Sequence, residues 1–187
     1  EHEIEILPCG LVSAMGGKWT TCRAIALETL QAIESLNKYR LPHPNALSLL
    51  GTDSNPTKTQ SLLDQQRFQL EKVLPNTTLM KKQAAHLQST YGLNALKIIE
   101  DSPERNRVPL SEVIPICEAE IIHAIQHEHA HTPTDILARR SRIAMVDLQE
   151  AKRLLPIVLN YLEDSPVKVN EIDLEYRRIF ASKVFQL

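Results

Sequence analysis

The sequence is poor in glycine and cysteine, and each shortage excludes a class of protein. Its 5 glycines form neither the Gly-x-Gly-x-x-Gly turn of a dinucleotide site nor the Gly-x-x-x-x-Gly-Lys-Ser/Thr loop of a nucleotide site. Its 3 cysteines, Cys9, Cys22 and Cys117, are too widely separated for a zinc pair or a disulfide framework and fit a reducing compartment. The chain therefore cannot build a dinucleotide fold by itself.

A strong charge of one sign and a long apolar run are also missing. The net charge is −2, so no global basic field exists to hold nucleic acid or an anionic membrane. The uncharged run from Ile6 to Gly17 contains Pro8 and is too short to span a bilayer. No Ser-His-Asp or Cys-His arrangement can be argued, so we predict no catalytic residue. Because the chain begins at Glu1 without a signal pattern, we expect it to be cut from a larger protein.

What is present is enough apolar sequence for a core, with 43% hydrophobic residues over 187 positions. Residues 2–7 alternate and residues 11–15 are apolar, which predicts two short strands around a turn at Pro8, Cys9 and Gly10. From Trp19 to Lys38 the period changes to three or four, which predicts a helix. The helix residues expected to face a core are Cys22, Ile25, Ala26, Thr29, Ile33 and Leu36.

Helical signals dominate the rest of the chain, after a segment rich in proline and glycine over residues 41–58. We predict helices over 60–73, between Thr78 and Gly92, over 94–100 and 118–130, after Asp135 and Asp147, and from about Glu171. The predicted fold class is mainly α, an orthogonal helix bundle preceded by a short strand-turn-helix unit. Its predicted parts are residues 1–40, a connecting segment over 41–75, and a helical domain over 76–187.

Four histidines lie close together in the sequence and are candidate metal ligands. They are His123, His127, His129 and His131. The first two share a helix face, but the other two do not, and a helix end follows immediately. The missing second ligand pair favours surface or hydrogen-bonded histidines, so we predict no metal site.

Arg139, Arg140 and Arg142 form a basic run that could bind phosphate, since guanidinium groups match phosphate oxygens in bidentate fashion. An ion-pair network would use the same residues with nearby acids, namely Glu118, Glu120, Glu128 and Asp135. Without a wider basic surface or interleaved aromatic residues, the sequence favours the structural interpretation over nucleic-acid binding.

The most informative segment is the glycine-lysine turn, residues 16–23, with the sequence GGKWTTCR. Glycines permit close approach of a ligand, and the first amides of a helix lack internal partners. Lys18 and Arg23 lie at the positive end of the helix dipole, where a cation is unfavourable without a compensating anion. Spacing alone leaves two interpretations open: an anion site, or a tight strand-to-helix turn with an incidental lysine.

These residues carry a resemblance to a known family. The segments HEIEI at 2–6, GLVS at 10–13 and GGKWTTCR at 16–23 resemble the end of the flavin domain of FAD-dependent glycerol-3-phosphate dehydrogenases. That family usually has tyrosine where Cys22 stands. The helical C-terminal domain of the family is matched independently, in order, by Leu49-Leu50-Gly51, Tyr91-Gly92, Ala95, Ile98, Glu120, Ala124, Glu128, Ala130, Thr132, Asp135, Leu137, Ala138, Arg139, Arg140 and Arg142.

The resemblance implies a parent enzyme that oxidises sn-glycerol 3-phosphate, reduces FAD and passes electrons to quinone. One alternative is glycerol-3-phosphate oxidase, which shares these motifs but reduces oxygen. A second alternative, from outside the enzyme class, is a helical adaptor that binds phosphate or nucleic acid. The cofactor-binding residues implied by the resemblance are Gly16, Gly17, Lys18, Trp19, Thr20 and Thr21. Lys18 would also face the substrate phosphate or a flavin carbonyl.

Under this resemblance, residues 1–40 are the remnant of a flavin domain, and this chain alone is expected to be inactive and free of FAD. Its partners are expected to be the rest of the parent enzyme, glycerol 3-phosphate and quinone through the full-length protein, and a second copy of itself. The expected location is peripheral, on the cytoplasmic side of the cell membrane or on the mitochondrial inner membrane of a eukaryote. No calcium-binding loop occurs in the sequence.

Overall fold

The computed structural model describes residues 2–37 and 49–164 of the chain. It divides into two compact units, Glu1–Leu47 and Ser48–Leu187, which are described separately here. The predicted fold class is confirmed, since helices dominate the described residues and the N-terminal unit has a short two-stranded sheet. The helix predicted from about Glu171 lies outside the described residues.

The N-terminal unit begins with an antiparallel hairpin. Strand β1 (His2–Ile6) pairs with strand β2 (Val12–Gly16), with His2 opposite Gly16. Gly10 has a φ of +85° and donates its amide to the Leu7 carbonyl at 2.9 Å, which closes the turn. Both predicted strands and the turn between them are confirmed.

A short 3-10 turn (Trp19–Thr21) leads into helix α1 (Cys22–Asn37), as the change of period predicts. The expected burial of one α1 face is wrong, because no residue between 2 and 36 is fully buried. Ile25 is half-buried, whereas Cys22 and Ala26 are exposed. A two-stranded hairpin and one helix each form a single small layer, and two such layers are too small to shield the side chains between them fully from water.

The first half of the helical unit packs helices α2 (Pro56–Val73), α3 (Met80–Tyr91) and α4 (Ala95–Glu100) together. Asn55 begins α2, since its Oδ1 accepts the Thr57 amide at 3.0 Å. The core here consists of Leu70, Leu74, Ala84, Leu87, Ala95, Ile99, Cys117 and Ala119. Most of the predicted connecting segment is therefore helix α2, which belongs to this core, although the three-part division of the chain stays a prediction.

The second half contains helices α5 (Glu118–His127), α6 (Ile143–Val146) and α7 (Leu148–Glu163). A π-helical turn (Asp135–Arg140) lies between α5 and α6. Its core consists of Ile116, Ile121, Ala124, Ile125, Ala130, Ile136, Leu137, Ile143, Ala151, Leu154, Val158 and Leu162. Helix α5 ends at His127, earlier than the predicted residue 130, because the chain turns left-handed at His129 with a φ of +53°.

Two glycines pack backbone against backbone in the helical unit. Gly51 accepts the Leu93 amide at 2.8 Å, and Gly51 and Gly92 have φ values of +78° and +56°. A Cβ atom on Gly92 would lie 2.3 Å from the Gly51 carbonyl oxygen. The contact joins two segments that match the family separately in the sequence, and only glycine fits at either position.

Candidate functional site

The glycine-lysine turn is a strand-to-helix connection in the structure. Strand β2 ends at Gly16 with a φ of +73°, and Gly17 follows with a φ of +91°. A Cβ atom on Gly17 would lie 2.4 Å from Ile25 Cδ1 on α1, so glycine lets the turn lie directly on the helix. The predicted site residues between Gly16 and Thr21 are therefore contiguous in space as well as in sequence.

Hydrogen bonds within the turn fix the start of the helix. The Lys18 amide donates to Thr21 Oγ1 at 3.3 Å, and the Thr21 amide and hydroxyl both donate to the Lys18 carbonyl at 2.9 Å. The Thr21 hydroxyl is thus used within the chain. The amides of Trp19 and Thr20 open the helical run, where amides have no intrahelical acceptor. The turn can offer these two amides to an external acceptor.

An open depression of about 380 Å³ lies beside the turn. Its lining residues are Gly16, Gly17, Lys18, Trp19, Cys22, Ile25 and Ala26. Trp19 is 89% exposed, and within residues 2–37 and 49–164 no salt bridge involves Lys18. Thr20 and Thr21 do not line the depression. The arrangement combines a cation, a helix start and an exposed indole around a space that a ligand edge could enter.

A buried carboxylate connects α3 and α5 in the helical unit. Glu120 is 5% exposed, accepts the Cys117 amide at 2.9 Å, and lies 2.7 Å from His86 Nε2. Tyr91 lies close to this carboxylate, and burial together with the charges of Glu120 and Glu128 raises the pKa of the Tyr91 phenol. Burial likewise raises the pKa of the Cys117 thiol well above its ordinary value.

Glu120 was expected among the acids of an arginine network, and its contact with His86 was not predicted. A signal existed in the sequence, since Glu120 stands three residues after Cys117, at the spacing of a capping box. The sequence could not indicate His86 or Tyr91 as partners, because both come from a different helix.

A groove of about 480 Å³ runs between α4 and α5, and His123 and His127 line it. Their ring centroids are 4.9 Å apart, and the His123 ring makes an edge contact with Tyr91 at 5.5 Å. Burial lowers the pKa of His123. Among the residues that the structure describes, no group of three or more His, Cys, Asp or Glu side chains is placed to hold a metal ion. The rings of His129 and His131 form a separate pair, 6.4 Å apart.

Two of the three clustered arginines are held by acids in the structure. Arg139 contacts Asp135 at 2.5 Å, and Arg140 Nε lies 3.8 Å from Glu128 Oε2 while its Nη2 donates to the Glu128 carbonyl. The expected ion pairs are thus present for these two side chains. The side chain of Arg142 makes no hydrogen bond or ion pair within the described part of the chain.

Two of the acids named for that network have other partners. Glu120 lies against His86, and Glu118 lies beside Tyr161, whose pKa is raised to about 12 by burial first and by the Glu118 carboxylate second. The arginine network is therefore smaller than predicted, because the opening turn of α5 faces other helices.

Comparison with known proteins places the chain in a family of helical domains. A family model described as the C-terminal domain of alpha-glycerophosphate oxidase matches residues 44–166, so the chain belongs to this family. The match begins at residue 44 and covers most of the helical unit.

Mitochondrial glycerol-3-phosphate dehydrogenases are among the individual proteins to which the chain is similar. Those of Homo sapiens and Mus musculus are each 29% identical over 170 residues, with 86% of this chain and 22% of the relative covered. That of Arabidopsis thaliana is 31% identical over 164 residues, covering 82% of this chain and 26% of the relative. The chain thus spans about a quarter of the length of the relatives it matches. In the described residues, no helix is long and apolar enough to cross a membrane.

Proposed function

We propose that this chain is the C-terminal part of an FAD-dependent enzyme that oxidises sn-glycerol 3-phosphate to dihydroxyacetone phosphate and delivers electrons to quinone. The glycine-lysine turn supplies one wall of the flavin pocket in this proposal, and the helical unit is a structural and interaction module. The observation that carries it is the turn itself, where two left-handed glycines, Lys18 and the exposed Trp19 at a helix start line an open depression.

The residues of the turn fit a flavin edge. Gly16 and Gly17 leave no side chain between the backbone and a ligand, and the helix start offers amide donors to carbonyl oxygens. FAD, when bound, accepts the hydride of glycerol 3-phosphate. Lys18 and the amides of Trp19 and Thr20 would stabilise negative charge at the pyrimidine edge, because preorganised donors need no reorientation during the reaction.

Two roles are proposed for Lys18, and they differ in the group that its ammonium contacts. Its ammonium group either pairs with the phosphate of the substrate or donates to a flavin carbonyl. Arg23 lies one helical turn further on and is assigned to domain contacts instead. The expected loss of FAD and activity in the isolated chain follows from this proposal, since the other walls of the pocket belong to the rest of the enzyme.

The test is Lys18→Ala in the full-length protein. A charged hydrogen bond contributes about 1.5–3 kcal/mol, so we expect roughly a tenfold to hundredfold loss in one of two quantities. A rise in the dissociation constant of FAD assigns Lys18 to the flavin, whereas a rise in KM for glycerol 3-phosphate with flavin retained assigns it to the substrate.

The matched control is Lys81→Ala, which removes an equal charge from an exposed position on α3. This variant should change neither quantity by more than about twofold, in line with surface substitutions. Unchanged FAD affinity and unchanged KM in Lys18→Ala would refute the assignment of the turn. A full-length protein without a dinucleotide fingerprint or yellow colour would refute the whole proposal.

A second candidate is glycerol-3-phosphate oxidase, which the description of the matching family favours. Oxygen consumption by the full-length protein, with and without added quinone, separates the two acceptors. The location we propose is peripheral, on the mitochondrial inner membrane or the cytoplasmic face of a cell membrane. A nucleic-acid adaptor is disfavoured because Arg139 and Arg140 are already paired with acids.

A further inference from the structure

We propose that the α6 knuckle, defined as Arg142, Met145 and Val146, is the face through which the helical unit docks onto the part of its polypeptide outside this chain. The complementary surface has an apolar pocket beside a carboxylate. This inference rests on the proposed function, because the occupant is the flavin-binding part of the same enzyme.

Two large apolar side chains of the knuckle, adjacent in the sequence, are exposed. Met145 is 73% exposed and Val146 is 65% exposed, while Ile143 in the same helix is fully buried. Helix α6 is therefore anchored through Ile143 and Ala144, which pack against the core, and presents Met145 and Val146 outward. Methionine is also enriched at protein interfaces, where its flexible chain adapts to an irregular pocket.

The knuckle is also held in an uncommon backbone conformation. Arg142 adopts a left-handed φ of +59°, which is uncommon for a residue with a side chain. Ser141 fixes this bend, since its hydroxyl donates to the Ile136 carbonyl at 2.8 Å and its amide donates there at 2.9 Å. A bend fixed in advance lowers the entropy that docking would otherwise cost.

The knuckle also carries an unneutralised charge. Arg139 and Arg140 are paired with acids, whereas Arg142 is exposed and its side chain has no hydrogen bond or ion pair within residues 2–37 and 49–164. A guanidinium group beside exposed apolar residues matches a carboxylate beside an apolar pocket.

The size of the relatives indicates which molecule carries that partner surface. The chain covers 22–26% of the relatives it matches, so about three quarters of such a polypeptide lies elsewhere. That remainder is tethered to the helical unit, which raises its effective concentration above that of any second molecule. The occupant we commit to is therefore the same polypeptide.

The experiment is photo-crosslinking in the full-length flavoenzyme, with p-benzoylphenylalanine in place of Met145. We expect a product at monomer mass whose crosslink joins position 145 to a residue outside this chain. The matched control carries the same probe in place of Phe68, which is 69% exposed on α2. We expect its yield of such products to be at least tenfold lower.

Substitution of the arginine gives the second arm. Arg142→Glu should lower the crosslink yield at position 145 at least fivefold, whereas Arg142→Lys should retain half or more. A product at dimer mass, a lipid adduct, a crosslink confined to this chain, or no product would each overturn the inference. If the enzyme is yellow and active and gives one of these results, only the docking role of the knuckle is refuted. If the full-length protein is colourless and inactive, the proposed function is refuted, and with it the flavin-binding part as the docking partner.

Discussion

Replacement of Glu120 by alanine tests the buried hydrogen-bond cluster of the helical unit. The substitution removes the acceptor of the fully buried Cys117 amide and the carboxylate that lies 2.7 Å from His86 Nε2. An unsatisfied buried group costs about 1–3 kcal/mol, whereas His86, whose side chain is 14% exposed, regains water at little cost. We therefore expect Glu120→Ala to lower the free energy of unfolding by about 2–3 kcal/mol.

Glutamine at the same position separates hydrogen bonding from charge. Its carbonyl oxygen can accept the Cys117 amide, and its amide nitrogen can keep the contact with His86, so Glu120→Gln should cost about 1 kcal/mol. Urea unfolding followed by circular dichroism measures both variants, with Glu104→Ala as an exposed control that should change by less than about 0.5 kcal/mol. Equal losses in Glu120→Ala and Glu120→Gln, or a loss below about 1 kcal/mol in Glu120→Ala, would refute the reasoning.

Three further predictions follow from single features. In the native chain, the exposed Cys9 and Cys22 should react with Ellman's reagent within minutes, whereas Cys117 should react only on unfolding, because it is buried and its pKa is raised. Hydrogen bonds from Arg153 lower the pKa of Glu150 to about 2. The loss of stability caused by Glu150→Gln, measured by thermal melts at a series of pH values, should therefore be largest above about pH 5 and should vanish as the pH falls to about 2. Gly92→Ala should cost about 2 kcal/mol or more in urea unfolding, since φ is +56° and the new Cβ would meet a carbonyl oxygen; an unchanged midpoint would contradict the contact.

Local signals predicted most of the elements, because their causes are local. The cap at Asp147, whose Oδ1 accepts the Glu150 amide at 3.0 Å, marks the start of α7 in the sequence as well as in the structure. The end of α3 at Gly92 was predictable for the same reason, since a glycine with positive φ terminates helices. The strand-to-helix nature of the glycine-lysine turn was equally readable from its residues.

Nonlocal arrangements could not be predicted from periodicity. The apolar spacing of α1 predicts a face but not what covers that face, and Ile25 remains only half-buried. The pairing of Glu120 with His86 joins positions 34 residues apart, which no spacing rule addresses. The left-handed bend at Arg142 depends on Ser141 bonding back to the preceding π-helical turn, so neither the bend nor the exposure of Met145 follows from composition.

The two units differ in how far their apolar side chains are buried, and this difference bears on the role of the turn. Every fully buried hydrophobic residue of the described chain lies at position 70 or beyond, so residues 2–36 contribute no fully buried core side chain. The turn nevertheless keeps its geometry through the reciprocal bonds of Lys18 and Thr21 and through the contact of Gly17 with α1. Lys18→Ala should therefore leave the urea midpoint of this chain unchanged, because the ammonium group forms no salt bridge among the described residues. A loss of stability in the chain alone would assign the lysine to folding, whereas a loss seen only as weaker FAD or substrate binding in the full-length protein would assign it to the site.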